Sequence, residues 1–252
     1  MGRHSKSHGS YDVESGRSPS PHRSIDFGST FNSITIRNAF IRKVYGILAL
    51  QFAFTTLIIF LARNNKEINQ VFTGPSAGAL YIGSLVAYLV IYFTLICCES
   101  CRRTVPNNYV LLMLFTFFLA IVMAFICLQY DLESLLYAAG ITFIVCLLVS
   151  LFSASTSFDF TRWSCIMFIV LIIFFIAGIA MMFIHDRTTQ IIYSAIGVVV
   201  FTIYLAIDTQ AILGGREVEI SPEEYVLAVI HLYINIINLF LMILRIIALT
   251  RR

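Results

Sequence analysis

The sequence predicts an all-α integral membrane protein, a seven-helix bundle with the seventh helix central. Seven apolar runs are each near the ~20 residues that carry a helix across ~30 Å of hydrocarbon. Charged residues make up 12% of the chain and hydrophobic ones 59%, whereas soluble domains average about 25% charged. The last run carries a polar stripe: His231, Asn235, Asn238, Met242 and Arg245 recur at helical spacing and share one narrow face. Such a helix is expected to turn that line toward protein or water, so the other six should enclose it.

Residues 1–33 are rich in Ser, Gly and His and almost free of large aliphatic side chains. They bury too little to order themselves and are expected to form a disordered cytosolic tail, with residues 34–252 as the bundle domain. Ser18-Pro19 and Ser20-Pro21 read either as phosphorylation or docking sites or as plain solvated chain. No apolar leader precedes the first run, so the amino end is expected to stay on the side of synthesis with that run as an uncleaved anchor. Arg23, Arg37, Arg42 and Lys43 precede the run, while the connector after it holds Arg63 and Lys66. The charge bias predicts a cytosolic N-terminus. Seven crossings then put Arg251 and Arg252 outside, against the same rule; either the bias fades at the far end or the last segment is re-entrant.

The runs are Val44–Ala62, Ala77–Cys98, Tyr109–Leu128, Ser134–Phe152, Trp163–Ile184, Ile191–Leu213 and Tyr225–Leu249. The connectors are too short for a folded domain, so chemistry must sit inside the bundle or at its mouths. Cys97, Cys98 and Cys101 cluster beside Glu99, with too few thiols and no nearby histidine for an ordinary zinc site. Palmitoylation or inert packing are the roles open to them; packing suits Cys127, Cys146 and Cys165. Asp131, Glu133, His185 and Asp186 fall in the predicted outer connectors, where they gather cations or are merely solvated.

Within the sixth run, Asp208 is the one acidic residue that lies inside an apolar segment. A carboxylate at membrane depth costs at least about 2.5 kcal/mol on insertion scales, which makes it a functional candidate. Desolvation, a nearby cation and hydrogen bonds all act on its proton. Gly197 and Ala211 share the helix face of Tyr204 and Asp208 and permit close approach. Gly214-Gly215 ends the sixth helix. Ser221-Pro222-Glu223-Glu224 reads as N-cap to N3 of the seventh, with Ser221 bonding the N3 amide, Pro222 at N1 and Glu224 closing a capping box. His231 lies one turn before Asn235; an imidazole either senses pH there or is a neutral, satisfied side chain. Arg245 reads as a snorkelling end residue.

Five patches in order resemble the transmembrane BAX-inhibitor-motif family, lifeguard branch. They are Thr35 to Leu48; Arg102-Arg103 with Pro106-Asn107 and residues 111–117; Phe158-Asp159-Phe160-Thr161; Ala206-Ile207-Asp208-Thr209-Gln210 with Gly214-Gly215; and Ile220 to Tyr225 followed by Leu232 to Phe240. The resemblance covers roughly residues 35–249. It implies a calcium leak pathway in an endoplasmic reticulum or Golgi membrane, linked to suppression of cell death. It also implies a buried acid pair on spans six and seven with a nearby arginine from span two. Asp208 would be the first acid and Arg102 or Arg103 the cation partner, but Asn235 stands where the family has its second acid. Two carboxylates titrate as a coupled pair and an amide cannot, so the pH response is expected to be weaker or shifted. The expected partners are the lipid bilayer, calcium ions as permeant species and cell-death regulatory membrane proteins, with no cofactor and no assigned metal.

Other classes fit less well. An aspartyl protease needs two intramembrane acids and no His-Glu-x-x-His occurs, so no enzyme is expected. Seven-span receptors are argued against by the lack of Asn-Pro-x-x-Tyr, Asp-Arg-Tyr or a span-seven lysine. A net charge of +3 without a basic, aromatic-interleaved stripe excludes nucleic acid. The competing reading is a non-conducting membrane adaptor that modulates apoptosis or stress signalling through partners and its tail.

Overall fold

The computed structural model describes Gly2 and residues 27–251, with side chains from Ile34 onward. Most of the expected tail lies outside the described residues. Helix α1 runs Phe27–Asn64, followed by α2 (Lys66–Thr73), α3 (Ala77–Cys97), the single turn α4 (Glu99–Arg103), α5 (Asn107–Cys127) and α6 (Leu132–Ser155). A 3-10 turn (Phe160–Trp163) leads into α7 (Ser164–Met181), then α8 (Arg187–Leu213), a second 3-10 turn (Pro222–Glu224) and α9 (Tyr225–Arg251). Among the described residues there is no strand. Seven of these helices are long and apolar enough to cross a membrane, α2 and α4 being the exceptions. Helix α1 continues some 17 residues N-terminal to the apolar run at Val44, because hydropathy marks only the greasy part of a helix that polar residues extend.

Helices start where short polar side chains take up their orphan amides. Asp131 Oδ2 accepts from Ser134 N at 2.8 Å, Asp186 Oδ2 from Thr189 N at 2.7 Å, and Asn65 Oδ1 from Glu67 N at 2.9 Å. Gly214 ends α8 at φ +75°, a backbone region where a side chain is strained.

The third and seventh spans, α5 and α9, bury the largest share of their apolar windows. Helix α9 packs on α8, α6 and α1, while α5 packs on α3 and α1. Tyr233 on α9 is fully buried, its ring 5.1 Å from that of Phe52 and 6.0 Å from that of Phe115. Its hydroxyl bonds Thr55, and Gln51 Nε2 on the same α1 face donates to Thr116 Oγ1 of α5 at 2.7 Å. Polar groups thus bridge spans one, three and seven within the apolar core, although the buried Gln51 Oε1 has no partner among the described residues.

The last segment is one continuous helix. Its N-terminal end lies beside Lys43, whose Nζ sits 3.2 Å from the Tyr225 ring centroid. At its other end Arg251 Nη2 bonds Glu133 Oε2 at 2.6 Å, on the opposite face of the bundle. The helix is long and apolar enough to cross a membrane.

At Gly197, α8 is met by side chains of both α7 and α9. A Cβ there would lie 2.7 Å from Phe174 Cζ and 2.8 Å from Met242 Sδ. Phe174 is itself stacked on Tyr193 at 4.4 Å, so it cannot give way freely. Gly197→Val is expected to destabilise the chain by about 1–3 kcal/mol through overpacking, read as a lower thermal midpoint in detergent. Gly46→Val, with open space around its Cβ position, is the control.

Candidate functional site

Asp208 lies five residues before the end of α8 and is 6% exposed. Asn235 Nδ2 of α9 donates to Asp208 Oδ2, and His231 Nδ1, one turn earlier, stands 3.8 Å from Asp208 Oδ1. The structure therefore brings Asp208, Asn235 and His231 together where α8 packs on α9. Tyr204, one turn back on α8, has a buried hydroxyl without a hydrogen bond among the described residues. Asn238 turns its amide to Ile234 O of its own helix at 3.0 Å. An amide donor and an imidazole facing one carboxylate form a contact between spans six and seven that a proton can alter, since a protonated acid donates where an ionised one only accepts.

The arginines go elsewhere. Arg102 and Arg103 were expected near Asp208, but Arg102 Nε bonds Glu224 Oε2 and Arg103 Nε bonds Glu224 Oε1 at 2.6 Å. Glu224 at the start of the seventh span is the carboxylate within reach of the α4 turn, whereas Asp208 meets Asn235 about three helical turns further along α9. Arg102 also donates to Leu95 O at 3.1 Å and Ile96 O at 2.9 Å, closing the exposed end of α3. The expected capping box is absent for the same reason. The Ser221 side chain makes no cap bond and Glu224 N reaches the Ser221 carbonyl at 2.9 Å instead. Two guanidinium groups outcompete one backbone amide for the Glu224 carboxylate. Pro222 keeps its place in the first helical turn.

The hairpin between α8 and α9 is held from three more sides. Arg37 of α1 donates to Ile220 O at 2.8 Å and to Glu219 Oε2 at 3.0 Å. Gln210, 1% exposed, accepts from Phe160 N at 2.7 Å and donates to Phe158 O at 2.8 Å, tying α8 to the connector before α7. In that connector Asp159 accepts from Thr161 N at 3.0 Å and from Glu217 N at 3.1 Å, while Arg216 donates to Thr156 O and Ser157 O. The Thr161 hydroxyl beside Asp159 holds its carboxyl below the usual aspartate range, with backbone amides and Arg162 adding to the effect. A depressed carboxyl stabilises the fold at any pH above its ordinary value of 3.8 and loses that contribution only as pH falls through the lowered one. This connector therefore adds no pH dependence between weakly acid and neutral conditions.

Arg37 enters the sequence only as a boundary charge and Gln210 only as part of a family-like patch, neither as a tie between connectors. Gln210 had a legible signal, an amide two residues after Asp208 in the same apolar run; Arg37 looked like one more positive charge at a membrane boundary. Among the described residues, no group of three or more His, Cys, Asp or Glu side chains converges as a metal site would require.

Two cavities flank this frame. One of about 840 Å³ is mainly apolar and lies between α1 and α6, with Leu205 of α8 and Leu232, Ile236 and Phe240 of α9 along its wall. The second, about 420 Å³, opens at the far end near Gln129, Gln190 and Arg245. Arg245 makes no ion pair or hydrogen bond among the described residues and lines this mouth.

An all-α, seven-span protein with a carboxylate enclosed between its last two spans and a clamped hairpin joining them is a specific class of polytopic membrane protein. The chain belongs to the family described as Inhibitor of apoptosis-promoting Bax1, whose model matches residues 37–252. It is 33% identical over 214 residues to human Protein lifeguard 3, covering 83% of this chain and 68% of that protein. The mouse Protein lifeguard 3 is 32% identical over 216 residues, 84% of this chain and 69% of that one. The Golgi anti-apoptotic protein of Vaccinia virus (strain Lister) is 31% identical over 230 residues, 90% of this chain and 93% of that one.

Proposed function

We propose that this chain is a cation leak pathway of an internal membrane, Golgi or endoplasmic reticulum, that suppresses cell death, with calcium as the permeant ion. The contact of Asp208 with Asn235 is its gate, and α9 is the helix around which the other spans are arranged. The observation that carries this reading is the enclosed carboxylate: at 6% exposure, Asp208 has an amide and an imidazole beside it but no arginine. A structural latch alone could use two neutral groups and avoid the cost of an acid at that depth. Family membership and the printed names of the lifeguard and Golgi anti-apoptotic relatives support the link to cell death. The hairpin end of the bundle is read as cytosolic, because Arg37, Lys43, Arg102, Arg103, Arg162 and Arg216 gather there.

The test is calcium flux from liposomes containing the purified chain, between acid and neutral pH. The expected result is permeation with a shallow pH dependence, a steeper one in Asn235→Asp, where like charges share the site, and altered permeation in Asp208→Ala. Identical steep responses in the chain and in Asn235→Asp, or permeation unchanged by Asp208→Ala, would overturn the gate.

One observation favours the rival reading of a non-conducting adaptor acting through membrane protein partners. Arg245 places a positive group without a carboxylate partner at the far mouth, where it repels an entering cation. No flux from purified protein, together with loss of cell-death suppression on deletion of residues 1–33, would decide for the adaptor.

A further inference from the structure

The turn between spans two and three carries a chemistry that neither the gate nor the clamp uses. Cys98 sits between α3 and α4 and Cys101 lies within α4, so the C-x-x-C spacing folds both thiols onto one turn. Their sulfurs are 2.7 Å apart and both are free. Sulfurs in contact on one turn can be bridged without bringing distant segments together. Both side chains are partly exposed, within reach of a small soluble disulfide.

The two thiols are also unlike. A hydrogen bond with Cys101 holds the Cys98 thiol below its ordinary range, with Arg102 adding a smaller pull, and the same bond pushes Cys101 up. Such asymmetry divides the roles of attacking and resolving thiol. The residues that follow, Arg102 and Arg103, are the ones bonded to Glu224 of the last span's first turn. A single helical turn holds its own shape weakly, so a covalent link across α4 would stiffen the mount of both guanidinium groups.

We propose that Cys98 and Cys101 are a redox-active dithiol that closes to a disulfide by exchange with a glutathione-type disulfide, and that closure locks Arg102 and Arg103 onto Glu224. In the first step the Cys98 thiolate attacks one sulfur of glutathione disulfide; that S–S bond breaks, and one glutathione leaves as a thiolate that takes up a proton. In the second step Cys101, having lost its proton, attacks the Cys98 sulfur of the mixed disulfide and expels the second glutathione. The protein pair gives up two electrons and two protons, and glutathione disulfide is reduced to two thiols.

The test uses the full chain in detergent, equilibrated with reduced and oxidised glutathione in varying ratio, quenched with acid and labelled with a maleimide-polyethylene glycol. The expected result is loss of two maleimide additions under oxidising buffer, mapped by peptide mass to a Cys98–Cys101 disulfide. It should persist in Cys97→Ser and vanish in Cys98→Ser and Cys101→Ser. Oxidation should also raise the thermal midpoint, and this rise should disappear in Glu224→Gln, or in the more exposed Arg103→Gln should the former fail to fold. Thiols at Cys98 and Cys101 that stay reactive in fully oxidised glutathione, or a disulfide formed through Cys97 instead, would overturn the dithiol. Equal midpoints for oxidised and reduced chain would overturn the lock.

Discussion

Glu224→Ala is expected to destabilise the chain by about 3–5 kcal/mol, seen as a large drop in thermal midpoint of the purified protein. The Glu224 side chain is 10% exposed and Arg102 11%, so removing the acid strands a guanidinium away from water. Removing one partner of such a pair costs far more than the pair's net contribution, since the remaining charge has neither solvent nor counter-ion. Arg103, 43% exposed and also bonded to Glu99, recovers much of its loss through solvent and that second carboxylate. Glu223→Ala is the control: its side chain is 76% exposed and stands 3.9 Å from Arg103, so its effect should stay within about 0.5 kcal/mol. Equal midpoints for the two variants would mean that the clamp contributes nothing to stability.

Gly214→Ala should cost about 2–4 kcal/mol, combining a positive-φ penalty with broken hydrogen bonds. The backbone there has φ +75°, and a Cβ would sit 2.6 Å from Arg37 Nη2. The guanidinium would have to leave, giving up its bonds to Ile220 O and Glu219. Gly215→Ala separates the two causes, because φ is +73° but nothing lies within 4 Å of the added carbon. It should show the backbone penalty alone, about 1–2 kcal/mol. In an Arg37→Ala background the two glycine variants should become equivalent; a persisting difference would remove Arg37 from the account.

The spans were legible because hydrocarbon length and apolar run length are the same constraint, and the sequence boundaries differ from the helices mainly where polar residues prolong a helix past its greasy part, as in α1. The Asp208–Asn235 contact was legible through the resemblance, which sets Asn235 opposite Asp208, and the cost of burying an unpartnered carboxylate is consistent with the bond that forms. The resemblance alone placed Arg102 or Arg103 beside Asp208, and both reach Glu224 instead, about three helical turns nearer the hairpin than Asn235. Glu224 was read by local capping rules, which count only neighbours in sequence and so miss two cations arriving from 121 and 122 residues away. The Gln210 and Arg37 ties escaped for the same reason, since their acceptors are backbone carbonyls of distant connectors.

Arg37, Gln210, Asp159, Arg216 and Glu224 fasten three connectors to the same end of the bundle. The opposite rim carries lighter ties, Arg251 to Glu133 at 2.6 Å and Arg187 to Thr250 O at 3.3 Å. Local opening of the sixth and seventh helices is then expected to begin around Arg245 rather than at the hairpin.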